Sequence, residues 1–204
     1  METREAIRRR IKKVPAGEPF TSAIFLDVGT RASVDQALSR LVKSAVITRV
    51  TRGVFVRPQE SRHLGKVLPE PSKVAETVAK AKGASIQVHG AEAARRFKLT
   101  TQTPTQPVFY TSGPSKRFRM GKMEVVLKHA ASRKLAFAGR PAGMALSALW
   151  YLGKNEVTPT TIEKIRRKLS SSEFETLSAA KASMPGWMAD AFHRFEKQPL
   201  PAEG

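Results

Sequence analysis

The feature that most constrains the fold of this chain is a change of hydrophobic period near residue 45. Val34, Ala37, Leu38, Leu41 and Val42 fall at the i, i+3, i+4, i+7, i+8 spacing that gathers apolar side chains on one side of a helix. A half-buried helix is therefore expected from Arg31 to about Ser44, with Arg31, Ser33, Gln36, Ser39, Arg40 and Lys43 facing outward. Two β-rich runs follow at once, residues 46–50 and 54–56. They are joined by Thr51-Arg52-Gly53, where Gly53 supplies the positive φ that a tight hairpin wants. Pro58 closes the unit.

Upstream, Ile7, Ile11 and Val14 mark one face of an amphipathic helix whose other faces carry Arg4, Arg8, Arg9, Lys12 and Lys13, and Pro15 ends it. Thr21 or Ser22 can cap a short helix carrying Ile24, Phe25 and Leu26. Val28-Gly29-Thr30 then turns the chain, and Thr30 can cap the next helix. Helix, short helix, glycine-containing turn, helix and basic-tipped hairpin in under sixty residues is the order of a winged helix-turn-helix. The expected class is α+β, an N-terminal winged helix-turn-helix followed by a C-terminal mixed α+β domain.

Pro58, Pro69 and Pro71 frame a polar stretch with Gly65, Lys66 and an isolated Leu64, so the expected division is a DNA-binding domain at 1–58, a linker at 59–71, a second domain at 72–198 and a tail at 199–204. The second domain should open with a helix through Val74, Val78 and Ala81, a strand Ile86–Val88 and a helix at 91–97. Strands are expected at 107–111, 117–120 and 123–127, turning at Gly121-Lys122. Closing helices are expected at Pro141–Leu152, 158–169, 172–181 and 185–195, with Trp150, Phe174, Trp187 and Phe195 as core candidates.

Charge narrows the partner. The chain carries 36 Lys+Arg against 17 Asp+Glu, a formal +19 over 204 residues. Self-repulsion of that size works against the compact state and points to a polyanionic partner. Residues 1–58 hold 12 basic and 5 acidic residues. Arg pairs bidentately with guanine and Gln with adenine in the major groove, which a helix fits, so Arg31, Ser33, Gln36 and Arg40 are the candidate readers of double-stranded DNA. Thr21, Ser22 and Thr30 lie at helix starts, where backbone N–H groups receive phosphate oxygens. Arg49 and Arg52 on the hairpin would grip the backbone or the adjacent minor groove. A charged outer face is also what any soluble helix shows; the coincidence of basic helix face, basic hairpin tip and basic first helix favours nucleic acid. A second basic surface is formed by Lys116, Arg117, Arg119, Lys122, Lys128 and Arg133, joined by Lys134 with Tyr110 and Phe118 nearby, against one acid, Glu124. A solvated sheet face accounts for it equally well.

Catalytic constellations are scarce. There is no cysteine, which removes disulfides, thiolate zinc sites and a cysteine nucleophile. The four His (His63, His89, His129, His193) show no HxH or HExxH spacing, and the three Asp are scattered, so no metal or other cofactor is expected. Glu92 in the first turn of a helix is stabilised by the dipole without catalysis, and His129 has the look of a structural histidine. The charged N-terminus and the lack of an apolar run near 20 residues argue for a cytoplasmic, non-membrane protein.

The chain resembles the AbiEi-like antitoxins, transcriptional regulators of type IV toxin–antitoxin and abortive-infection systems in bacteria. In the first domain the resemblance rests on Val34-Asp35-Gln36-Ala37-Leu38-Ser39-Arg40-Leu41, Ile47, Arg49-Val50 and Arg52-Gly53-Val54-Phe55-Val56. In the second it rests on Gly90-Ala91-Glu92-Ala93, Pro107-Val108-Phe109-Tyr110-Thr111-Ser112-Gly113, Leu127-Lys128-His129-Ala130, Ala148-Leu149-Trp150-Tyr151-Leu152-Gly153-Lys154 and Pro185-Gly186-Trp187-Met188. It implies a repressor that binds inverted repeats in its own promoter and neutralises a nucleotidyltransferase-like toxin, with no antitoxic residue carried over. The sequence does not choose between a monomer in solution and a dimer on DNA. Two competing readings are an RNA- or ribosome-associated basic module, and a nucleic-acid-processing enzyme using Glu92 or Glu124 with His129.

Overall fold

The computed structural model describes residues 2–61 and 65–197. It is mixed α+β, the class expected from the sequence, with eight α-helices and nine strands among the described residues. The chain forms two compact units. The first comprises Met1–Ala84 and Lys116–Val126, the second Ser85–Ser115 and Leu127–Gly204.

The first unit opens with α1, Glu2–Lys13, whose Ile7 and Ile11 are buried. A two-residue strand β1 (Phe20–Thr21) leads into a 3₁₀ turn, Ser22–Phe25, and then α2, Arg31–Lys43, buries Val34, Ala37, Leu38 and Leu41. Strands β2 (Thr48–Thr51) and β3 (Val54–Val56) form the hairpin, with Gly53 at φ 81° in its turn. Such a φ suits glycine, which has no Cβ to clash. The first β run is expected at 46–50, but the strand starts two residues later. Ala45 takes φ 56° at the helix end, and Val46 and Ile47 still donate to the Leu41 carbonyl.

The sequence gives no hint that β1 pairs antiparallel with β3, Phe20 opposite Phe55, making a three-stranded sheet of order β1-β3-β2. Phe20, Phe25 and Phe55 then meet with Ile7, Ile11, Leu38, Leu41 and Ile47 in one buried cluster. Phe20 and Phe25 lie edge to face at 5.8 Å, a geometry aromatic quadrupoles favour. Arg57 donates to the Lys12 and Val14 carbonyls at 2.9 and 2.7 Å, satisfying the frayed end of α1.

The described residues of the stretch expected as a linker are structured. Gln59–Ser61 (β4) and Gly65–Val67 (β5) pair antiparallel, and α3, Pro71–Lys80, follows with Val74, Ala75, Val78 and Ala79 buried against β3. A Pro-rich stretch breaks helices, but a short hairpin between prolines loses no ladder bond. The first unit therefore runs past residue 58, through α3. It also takes in β8, Lys116–Met120, and the first four residues of β9, Met123–His129, and β8 lies against β2. The tail at 199–204 and Leu64 lie outside the described residues.

In the second unit β6 (Ile86–Val88) pairs antiparallel with β7 (Val108–Thr111), Gln87 opposite Tyr110. The helices are α4 (Gly90–Arg96), α5 (Pro141–Leu152), α6 (Pro159–Arg166), α7 (Ser171–Ala179) and α8 (Gly186–Glu196). Their core is α5, whose Ala142, Ala145, Leu146, Ala148 and Leu149 are buried with Ile162, Ile165, Leu177 and Phe192. The four expected aromatics pack partly buried against this cluster. α4 approaches α5 closely because Gly90 has no side chain: a Cβ there would collide with Tyr151 Cβ and stand 2.6 Å from the Ser147 carbonyl oxygen. α5 starts without a side-chain cap of its own. Glu173 of α7 supplies one, accepting the Ala142 N–H at 2.9 Å while paired to Arg140 at 3.0 Å. That backbone bond, then Arg140, holds the Glu173 carboxyl below its ordinary range.

Candidate nucleic-acid interface

The first unit places α2 so that its apolar stripe faces the sheet and α1, leaving Arg31, Asp35, Gln36, Arg40 and Lys43 exposed on the opposite side. Its starting point is fixed by two sets of bonds. Thr30 caps the helix, its Oγ1 accepting the Ser33 N–H at 3.3 Å, while the Ser33 hydroxyl donates to the Thr30 carbonyl at 2.8 Å. Arg10 of α1 grips Asp27 in the preceding loop with both terminal nitrogens, at 2.6 and 2.8 Å, and donates also to the Ile24 carbonyl. This fork holds the Asp27 carboxyl below its usual range. Two elements 17 residues apart are thereby clamped where α2 begins.

Along the exposed face, Arg31 reaches Asp35 one turn on at 3.3 Å, with both side chains more than half exposed. An open i, i+4 pair of this kind is worth about 0.3–0.5 kcal/mol and breaks readily for a stronger anion. Among the described residues Arg40 and Arg52 make no ion pair, nor does Arg49, whose guanidinium lies 5.4 Å from the centre of the Phe55 ring. Phe55 is buried, so this cation–π contact orients an otherwise exposed arginine on the hairpin. Arg52 sits at the hairpin tip beside Gly53 and is exposed.

Five of the nine candidate contacts, Arg31, Gln36, Arg40, Arg49 and Arg52, are thus exposed on α2 and the hairpin. Ser33 is half-buried and, with Thr30, committed to the helix cap. One candidate is corrected. Ser22 is buried, so its hydroxyl has no path to a phosphate, whereas Thr21 caps the short 3₁₀ helix Ser22–Phe25 as expected, its oxygen accepting the Ala23 N–H. The cause is β1: pairing of Phe20 and Thr21 with β3 pulls this segment into the sheet.

The residues expected to form a second basic surface are divided between the two units. Lys116, Arg117, Arg119 and Lys122 belong to the first unit, where Arg117 and Arg119 alternate outward with buried Phe118 and Met120. Lys128 and Arg133 belong to the second. Arg117 stands 3.7 Å from Glu124, and Arg133 lies over the Trp150 ring at 5.3 Å. Phe118 is core rather than an aromatic contact.

Groups that could suggest catalysis are tied up structurally. Glu92 is forked between Arg95 and Arg96 at 2.7 and 2.9 Å, and those bonds, above all that from Arg95, hold its carboxyl at about 2. Glu163 repeats the device with Arg166 and Arg167 two helices further on, on α6, again at about 2. His129 Nδ1 bonds the Gly113 carbonyl at 3.0 Å, and the His129 backbone N–H donates to the Ser115 hydroxyl oxygen. Among the described residues no three His, Asp or Glu side chains group to hold a metal, and no helix is long and apolar enough to cross a membrane.

The profile of the DUF6088 family, described as a family of unknown function, matches residues 6–177. The chain belongs to this family. The DUF6088 match runs from within α1 into α7 and so takes in α2, the hairpin and most of the second unit. No curated protein matches the chain. Among solved structures it is similar to the RV2827C protein from Mycobacterium tuberculosis, at 14% identity over 97% of this chain and 81% of that one, with a TM-score of 0.45.

Proposed function

We propose that the protein binds double-stranded promoter DNA through a winged helix, with α2 in the major groove and the β2–β3 hairpin against the adjacent backbone, and that it acts there as a transcriptional repressor. The observation that carries this reading is the set of exposed guanidiniums on α2 and the hairpin, Arg40, Arg49 and Arg52, which form no ion pair among the described residues, together with the exposed amide of Gln36. Residues 1–58 carry the net positive charge that backbone binding uses. A helix face that existed only to be wet would mix signs; here Asp35 is the one acid on α2, and it is engaged by Arg31.

The antitoxin part of the proposal draws on the resemblance of the second unit's motifs to the AbiEi-like antitoxins. On that reading the protein is a non-enzymatic, cytoplasmic bacterial regulator whose second unit neutralises a nucleotidyltransferase-like toxin. Co-expression with such a toxin from the same operon should restore growth, and a chain lacking that effect refutes the antitoxin role while leaving DNA binding standing.

DNA binding is tested by titrating the full chain on its own promoter duplex and on a random duplex of equal length. Gln36→Ala should lower the preference for the promoter by roughly 1–3 kcal/mol if Gln36 reads a base. Equal losses on both duplexes contradict base reading.

A further inference from the structure

Outside the α2 face, the second unit brings three aromatic rings and two lysines together. The His89 and Tyr110 rings lie 4.7 Å apart, and Tyr151 of α5 stands edge-on to His89 at 6.3 Å. Tyr151 is 40% exposed, a large aromatic left in solvent. Among the described residues its hydroxyl reaches only Gln102, at 3.4 Å.

His89 Nδ1 accepts the Ala91 N–H at 3.3 Å, which leaves the ring proton on Nε2. Among the described residues neither that Nε2–H nor the Tyr110 hydroxyl has a partner. Burial first, then the nearby ammonium groups of Lys128 and Lys134, depress the His89 pKa, so the ring is a neutral donor at pH 7. Burial likewise raises the Tyr110 pKa and keeps its hydroxyl protonated. Lys128 is exposed, and Lys134 Nζ lies 5.2 Å from the centre of the Trp150 ring beside Tyr151 in sequence. Two donors with no partner among the described residues, with two ammonium groups close enough to act on the His89 charge, suit a phosphate, and an exposed ring next to them suits a base with a free π face.

We infer that the His89–Tyr110–Tyr151 cluster, with Lys128 and Lys134, is a binding site for a single-stranded polynucleotide, Tyr151 stacking on an unpaired base and the lysines meeting its phosphates. Duplex bases are stacked on each other and offer no face to a tyrosine, whereas unpaired bases stack on aromatics with little sequence preference. An acidic peptide would match the lysines but would leave the exposed ring without purpose. The inference does not depend on the duplex-binding reading, since none of its residues lies on α2 or the hairpin.

The test is fluorescence anisotropy of the full chain with labelled 12-nucleotide oligo(U) and oligo(dT) at low salt. Tyr151→Ala keeps the Cβ that packs on Gly90, and Tyr151→Phe keeps the ring. Tyr151→Ala should weaken single-strand binding between about fivefold and a hundredfold, and Tyr151→Phe should leave it near the parent value. Lys128→Ala should weaken it and flatten its salt dependence. A tighter complex with oligo(U) assigns the site to RNA, with oligo(dT) to DNA; both support it. The inference is overturned if the parent chain does not bind either strand, if Tyr151→Ala matches the parent with an unchanged thermal midpoint, or if polyglutamate of equal charge competes as well as oligo(U). In an Arg40→Ala/Arg52→Ala chain, duplex binding should fall while single-strand binding persists, which separates failure of one reading from failure of the other.

Discussion

The salt dependence of duplex binding can be worked out from three side chains. Arg40, Arg49 and Arg52 are exposed and carry no ion pair among the described residues, so each is available to a phosphate without first breaking a bond. Every phosphate neutralised on B-DNA contributes about 0.9 to the slope of log K against log salt. Three give a slope of about −2.7 per chain, which makes binding roughly fortyfold weaker at 200 mM than at 50 mM salt. Arg52→Ala should bring their share to about −1.8, a roughly twelvefold loss over the same range. Because Arg52 lies at a solvent-exposed hairpin tip, its removal should leave the thermal midpoint unchanged. The assay is a set of titrations on promoter duplex at four salt concentrations, for the parent and for each single alanine variant. The reasoning is refuted if Arg52→Ala and Arg40→Ala both retain the parent slope, since the face would then be wet in the complex as well.

Other outcomes follow from the same geometry. Asp35→Asn removes the one acid of α2 and frees Arg31, so it should tighten binding to random duplex and steepen its salt slope, read in the same titration. Leu38→Ala, at a fully buried site, should cost about 2–5 kcal/mol in a denaturant melt, whereas a cost under 1 kcal/mol contradicts the placement of α2. Gly90→Ala should lower the thermal midpoint by overpacking, at about 1–3 kcal/mol, because its Cβ would meet Ser147 backbone. Glu92 and Glu163 titrate at about 2 when folded and near the ordinary carboxylate value of 4.5 when unfolded. A depressed carboxylate stabilises the fold above its unfolded pKa and loses that contribution as pH falls towards its folded pKa. Replacing both by Gln should therefore flatten the fall in thermal midpoint between about pH 4.5 and pH 2, and an unaltered acid limb contradicts the two arginine forks.

What could be read in the sequence was local. The α2 stripe, the cap at Thr30, the hairpin on Gly53 and the helices of the second unit each repeat a period or end on a residue with a backbone role, and they stand in the structure within a few residues of where the pattern puts them. What could not be read was pairing at a distance. Two residues, Phe20 and Thr21, are too few to show alternation, yet their pairing with β3 buries Ser22 and removes it from the candidate surface. Arg10, one of a run of arginines, and the isolated Asp27 are 17 positions apart and look unrelated until the fold joins them. The prolines between 58 and 71 signal a break in helix, which is correct, but not that the break holds a hairpin and that α3 stays with the first unit. Tyr110 and Tyr151 lie in two separate motifs of the resemblance and His89 just before a third, and only the pairing of β6 with β7 and the closeness of α4 to α5, permitted by Gly90, set them side by side.

The most direct measurement uses the absence of cysteine from the chain. Gln36→Cys introduces a single thiol on the outer face of α2, and Ala182→Cys places one on an exposed position of the second unit as a control. With promoter duplexes carrying a thiol tethered to a cytosine N4 in the major groove, position 36 should form a disulfide at one or two base pairs of each half-site and position 182 should form none. If position 36 crosslinks no better than position 182 on any tethered duplex, α2 does not enter the groove and the account of this protein as a winged-helix regulator is wrong.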